Sequence, residues 1–224
     1  MTKRRKRTSD IGPTRVITNP ASASIEWCKI DFPSDKANVE LFFAQRFAVA
    51  YNSLLPFAGL IITALWQNPE RSLDFRIKTS VGEKWLELMA IRPIEFFGVP
   101  PDQAPHTYNS YDLAKFTHGK IMKKSRKYRS RKPSNIFLLL YLDDWRFQPS
   151  RTMMALLRYW CSRTVHSFEA IFYYIPLDDT NGHLSVIAPT PSQHWKDFDP
   201  EQHRQSTVIN LDPSKWQLSG LPPA

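Results

Sequence analysis

Cysteine, glycine and long apolar runs are all scarce in this chain. Two cysteines, Cys28 and Cys161, occur in 224 residues, and neither belongs to a CxxC pair or a Cys/His cluster. That count excludes a disulfide framework and leaves no structural zinc spacing, so both thiols read as small buried hydrophobes. There are seven glycines, and none forms a phosphate-cradling loop or a GxSxG elbow. The P-loop, kinase, Rossmann dinucleotide and serine-hydrolase readings therefore lack their defining elements. The six histidines show no HxH or HExxH spacing. No apolar run approaches the roughly 18 residues of a membrane span. The N-terminal MTKRRKRTSD has no apolar segment behind its basic residues, so it does not read as a secretory signal. The expectation is a soluble, intracellular protein without a membrane partner, cytoplasmic or, in a eukaryote, nuclear.

What the chain has is positive charge: a formal +9, with a pI near 9.6. An excess of this size favours polyanionic partners, nucleic acid above all. It gathers in two places. Lys3, Arg4, Arg5, Lys6 and Arg7 form one run, able to hold a phosphate backbone and of the type that serves as a nuclear signal in a eukaryote. The second cluster lies between Lys120 and Lys132.

The length suffices for one good-sized core. Residues 1–23 are polar and basic and read as a flexible tail; 24–188 read as a single α/β domain; 189–224 read as a Pro-rich extension that Trp195 and Trp216 tack onto the body. Ser24 to Asp31 alternates enough for a short strand. Ser34 is a good N-cap for a helix reaching about Leu55, with Val39, Phe43, Phe47, Ala50 and Leu54 on one stripe and Pro56 as its stop. Gly59 to Trp66 is a short continuous apolar run and reads as a strand buried on both faces. A hairpin follows, from Arg71 to about Ile94. A Pro-rich loop leads to a helix over Tyr108 to Tyr128, which Asn109, Ser110 or Asp112 can cap. Asn135 to Asp143, a Ser150-capped helix to about Thr164, and Phe168 to Leu177 make a βαβ unit with parallel strands. His183 to Ala188 is the last strand.

The hairpin carries the chemistry. With Val81-Gly82 as its loop, Ser80 faces Glu83, Arg76 faces Glu87 and Asp74 faces Met89. Asp74, Arg76, Lys78, Trp85, Glu87 and Met89 then share one face, while Leu73, Phe75, Ile77, Leu86, Leu88 and Ala90 share the other, the core. Two carboxylates on neighbouring strands can share a hard cation such as Mg2+, which takes oxygen ligands and keeps several waters.

The order is helix with Glu40, apolar strand, strand with Asp74, strand with Glu87, helix, strand. Over roughly Ser34 to Ile175 it resembles the PD-(D/E)xK nuclease superfamily. Leu73-Asp74 stands for its Pro-Asp pair and Glu87-Leu88-Met89 for its (D/E)-x-K. The resemblance implies a restriction-endonuclease-like core: a central mixed β-sheet flanked by helices. It also implies metal on Asp74 and Glu87, with Glu40 as the helix acid. The family's lysine is replaced by Met89, which cannot orient water; Lys78, on the same expected face, is the substitute named for catalysis beside Asp74 and Glu87. Many members carry Gln-x-x-x-Tyr on the helix after the hairpin, and Lys124 and Tyr128 keep that spacing with Lys for Gln.

Lys120, Lys123, Lys124, Arg126, Lys127, Arg129, Arg131 and Lys132 are the expected nucleic-acid contacts, with Tyr128 able to stack on a base. Asp143 and Asp144 read as a strand exit. Three functions remain open. The first is a metal-dependent nuclease-like protein acting on or binding DNA. The second is a catalytically inactive nucleic-acid binder of the same fold. The third is a protein-interaction subunit docking on other chains.

Overall fold

The computed structural model describes residues 14–19, 22–27, 30, 32–54, 60–68, 73–99, 105, 107–129, 135–142, 148–178 and 180–209. The basic run Lys3–Arg7, Cys28, Arg131, Lys132, Asp143, Asp144 and Trp216 lie outside the described residues.

A six-stranded mixed sheet organises the protein, and helices cover it on both sides. Its strands are β3 (Ile62–Gln67), β4 (Phe75–Thr79), β5 (Gly82–Ile91), β7 (Ile136–Leu142), β8 (Ala170–Pro176) and β9 (Gly182–Ala188), lying side by side in that order. The β3–β4, β4–β5 and β8–β9 pairs are antiparallel, whereas β5–β7 and β7–β8 are parallel. This is the expected α/β class with a central mixed sheet flanked by helices. All seven residues of β7 and of β8 are buried, as befits parallel strands with helices on both faces.

Alternation along the strands sorts the core into two layers. Phe75, Ile77, Leu86, Leu88, Phe137, Leu139, Tyr141, Phe172 and Tyr174 face α1 (Lys36–Leu54), which inserts Val39, Phe43, Phe47, Ala50 and Tyr51. Phe43 stacks on Tyr141 with centroids 4.1 Å apart. Met89, Ile91, Ile136, Leu138, Leu140 and Tyr173 face α3 (Ser110–Tyr128) and α4 (Arg151–Arg163). Asn109 caps α3 through the Tyr111 and Asp112 amides, and Ser150 caps α4 through the Met153 amide. Cys161 is buried in this second layer, and burial pushes its thiol up to about 12, which makes it inert.

Several expectations are corrected. The α1 cap is Asp35, not Ser34: its carboxylate accepts the Asn38 amide at 2.9 Å. The apolar run at 59–66 is not buried on both faces, because β3 is an edge strand; Ile61 and Trp66 are exposed. β1 (Thr14–Asn19), inside the expected tail, pairs with β2 (Ser22–Trp27), which overlaps the strand expected from Ser24. After β9, residues 189–209 form further regular elements. Two short 3-10 turns, Ser192–Trp195 and Pro200–His203, precede β10 (Thr207–Ile209), which pairs with β6 (Thr107–Asn109). Trp195 meets Tyr159 of α4 and Phe198, so its expected role in tacking this segment down is realised. A short helix, α2 (Pro93–Phe97), follows β5.

The hairpin register also differs. Thr79 faces Gly82 and Phe75 faces Leu86, so the loop is Ser80-Val81. Three local facts select it. Gly82 adopts φ +133°, where L side chains are strained. The Thr79 hydroxyl donates to the Gly82 carbonyl at 2.7 Å. The Ser80 amide and hydroxyl bind the carbonyl and amide of Ile61 beside β3. The shift is two residues in the pairing sum, so every side chain of the hairpin keeps its face.

Phe43→Ala should destabilise the protein by about 3–5 kcal/mol, since the ring is wholly buried between α1 and the sheet. Denaturant unfolding would show a lower midpoint with an unchanged slope; an unchanged midpoint would mean that α1 does not seat here.

Candidate functional site

Glu87 sits in the middle of β5 on the face that α3 covers, and it is 6% exposed. A carboxylate at that depth needs partners. Lys124 of α3 supplies one, with its ammonium 2.8 Å from Glu87 Oε1. The same ammonium donates to the Leu88 carbonyl. The second partner comes from the neighbouring strand: the Asp74 amide donates to Glu87 Oε2 at 3.2 Å.

Asp74 lies immediately before β4, where that strand parts from β5. Its Oδ2 accepts the Leu88 amide at 2.7 Å, closing a double bridge between residues 74 and 87–88. Its Oδ1 accepts no hydrogen bond from the described residues. With the corrected register, the step beyond Phe75–Leu86 brings Asp74 opposite Glu87, not Met89. Burial, and after it the nearby Glu87 charge, raise the Asp74 carboxyl from its ordinary 3.8 to about 6. The Leu88 amide and Lys124 pull the other way, and Glu40 adds a smaller upward push.

The expected site residues separate into three groups. Asp74 and Glu87 are brought together. Glu40 is on α1, over the opposite sheet face, where it pairs with Lys36 at 3.2 Å and reaches Asp74 only through its field. Lys78 is not brought to the pair: it is exposed, faces Glu83, and lies four residues along β4 from Asp74, roughly 13 Å away. Met89 is buried under α3 and α4, and Glu87 is buried too. The idea that their sheet face is the solvated one therefore holds for Arg76 and Lys78 but fails on β5.

Along α3, Lys123, Arg126, Lys127 and Arg129 are exposed and available to phosphates. Lys120 is tied to Glu95. Tyr128 is 8% exposed and packs against Phe168, so it is a core residue and cannot stack on a base. Lys124, expected to hold a phosphate backbone and matched to the Gln of Gln-x-x-x-Tyr, is the cation of the carboxylate pair. Its spacing from Tyr128 was the signal: one helical turn puts both on the inward face of α3.

The donor set is hard oxygen, which suits Mg2+, and one or two carboxylates are enough for that ion. Among the described residues no three His, Cys, Asp or Glu side chains gather into a group that could hold a metal. A metal here would rest on Asp74 and Glu87 with water completing its shell. Charge supports the fit: Lys124 balances Glu87, while among the described residues no cation is paired directly with Asp74.

No protein-family model matches this chain, and no curated protein matches it. Among solved structures, SfsA of Pyrococcus furiosus in complex with Ca2+ aligns over 72% of this chain and 74% of its own, at 12% identity and a TM-score of 0.26. A superposition that weak bears on neither fold nor function. Among the described residues no helix is long and apolar enough to cross a membrane.

The raised Asp74 pKa fixes a sign. The folded state prefers the neutral carboxyl, so the stability tied to it is complete below pH 3.8 and is lost as pH rises through about 6. Asp74→Asn keeps an acceptor for the Leu88 amide without the charge. At pH 7.5 it should be more stable than the parent by about 1–3 kcal/mol, with the gap narrowing toward pH 4.5. Thermal melts across that range check this; a variant less stable at pH 7.5 would mean that Asp74 is not held against its charge.

Proposed function

We propose that this chain is a divergent PD-(D/E)xK-type protein that hydrolyses phosphodiesters of nucleic acid, DNA in the first place, with Mg2+ held by Asp74 and Glu87. The supporting observation is the contact between Glu87 and Lys124 beside Asp74: two acids from adjacent strands and one lysine, gathered at one point. The lysine comes from α3 instead of the position that Met89 occupies. Bound metal would polarise the phosphoryl oxygen and acidify a water. Asp74, with a carboxyl near 6, is mostly ionised at pH 7.5 and offers its Oδ1. Lys124 holds Glu87 in place. Lys123, Arg126, Lys127 and Arg129 form the exposed cationic side of α3 for the phosphate backbone.

One observation favours a second reading, a binder without catalysis. The Lys124 ammonium already commits two of its three N–H donors, to Glu87 and to the Leu88 carbonyl, which leaves one for a water.

Plasmid nicking in Mg2+ or Mn2+ separates the two. The parent should nick only with metal. Asp74→Asn, Glu87→Gln and Lys124→Met should each lose at least about 100-fold, while Lys78→Met should retain activity. Absence of nicking, with gel shifts that fade in salt, sinks the enzyme and leaves the binder. In the binding assay, each substitution of Lys123 or Lys127 by Ala should lower the salt slope by about 1.

A further inference from the structure

The sheet face that bears Glu87 continues past α3 onto the outer strands. α3 runs against β5: Lys120 meets Glu95 beyond the strand's end, and Lys124 meets Glu87. On β4 and β3 the same face turns outward. Trp66, Arg76 and Trp85 are direct partners across β3, β4 and β5, so their side chains leave that face in one row. Trp66 is 41% exposed. The Arg76 guanidinium lies over its ring, 5.0 Å from the centroid. Trp85 is half sunk against the α3–α4 core and anchors the row's inner end. The row is two residues from Glu87 along β5, roughly 7 Å.

We propose that the Trp66–Arg76 pair is a base-stacking platform for single-stranded nucleic acid, placed beside the Asp74–Glu87 site. An indole face accepts any base, and stacking is open only to bases not already enclosed in a duplex. Charge fits the same occupant. Arg76 and Lys78 are exposed on the platform's own strand, and Lys127 is exposed one turn beyond Lys124. Glu83 is 3.8 Å from Arg76, but both side chains are solvated, so that ion pair is weak and yields readily to a phosphate. This names a substrate class and rests on the phosphodiester reading of the neighbouring acids; the binding itself can be measured without cleavage.

The test uses the unmodified chain in EDTA. Its tryptophan fluorescence and its affinity are measured with an oligothymidylate, an abasic phosphodeoxyribose oligomer of equal length, and a duplex of that length. The oligothymidylate should quench fluorescence and bind roughly ten-fold more tightly than the abasic oligomer. Trp66→Ala should remove that advantage and leave abasic binding unchanged; Trp66→Phe, which keeps an aromatic face on the strand, should retain part of it. Arg76→Ala should weaken both ligands. Equal binding of the thymidylate and abasic oligomers by the parent, or tightest binding of the duplex, overturns the platform. If the platform fails while metal-dependent nicking of plasmid persists, the nuclease reading survives it. If stacking is found and no metal releases cleavage, the platform stands and the nuclease reading falls.

Discussion

Glu87 is buried in the centre of a sheet, and an ionised carboxylate in that position persists only with charge and hydrogen bonds around it. Much of the local architecture follows from that requirement. Lys124 must come down from α3 to meet it, which fixes the rotation of the helix. That rotation turns Tyr128, one turn on, into the core and leaves Lys123 and Lys127 in solvent. The Asp74 amide must face Glu87, which holds the entry of β4 against β5 just where the strands part. Asp74 is then itself trapped in a half-buried position beside a like charge. Removing either partner of the Glu87–Lys124 pair alone would leave an uncompensated buried charge.

How far this was legible in the sequence depends on whether the signal was local. β7, β8 and α4 were readable because each states itself within a few residues: a closed apolar run, or a serine cap before a periodic stripe. The faces of the hairpin were readable for the same reason, since alternation survives any even shift of register. The register itself was not. Val81-Gly82 and Ser80-Val81 are both plausible two-residue loops, and the choice is made by Gly82 φ together with the tie of Ser80 to Ile61, nineteen positions away. Likewise the run ending at Trp66 has the composition of a central strand. Only the strand order puts it on the edge, with β4 as its one neighbour in the sheet.

The site was half legible. Two acids in a hairpin are visible in the sequence, but motif spacing points to a cation on the same face of the same strands, at Lys78. A side chain on a strand travels only with its strand, so Lys78 stays roughly 13 Å from Asp74 whatever its chemistry. A lysine on a helix that crosses above can reach the acid from outside the sheet, and Lys124 does so. The methionine at position 89 fits the same logic. Once the helix brings its own cation, the strand position beneath it becomes available to the core, and Met89 packs there.

The electrostatics then set the order in which ligands can arrive. The chain carries +9 overall, yet the point where Asp74 and Glu87 meet is locally negative once Asp74 ionises, with one lysine against two acids. On the proposed reading, a phosphate drawn in by the exposed cations of α3 and β4 would meet that negative charge at the last step and be repelled. A divalent cation would reverse the sign at that point and leave the approach unchanged. Polyanion and metal would then reinforce each other: the metal would need the carboxylates, and the phosphate the metal. A neutral Asp74 below pH 6 would weaken both, because protons would compete with the metal for the same oxygens.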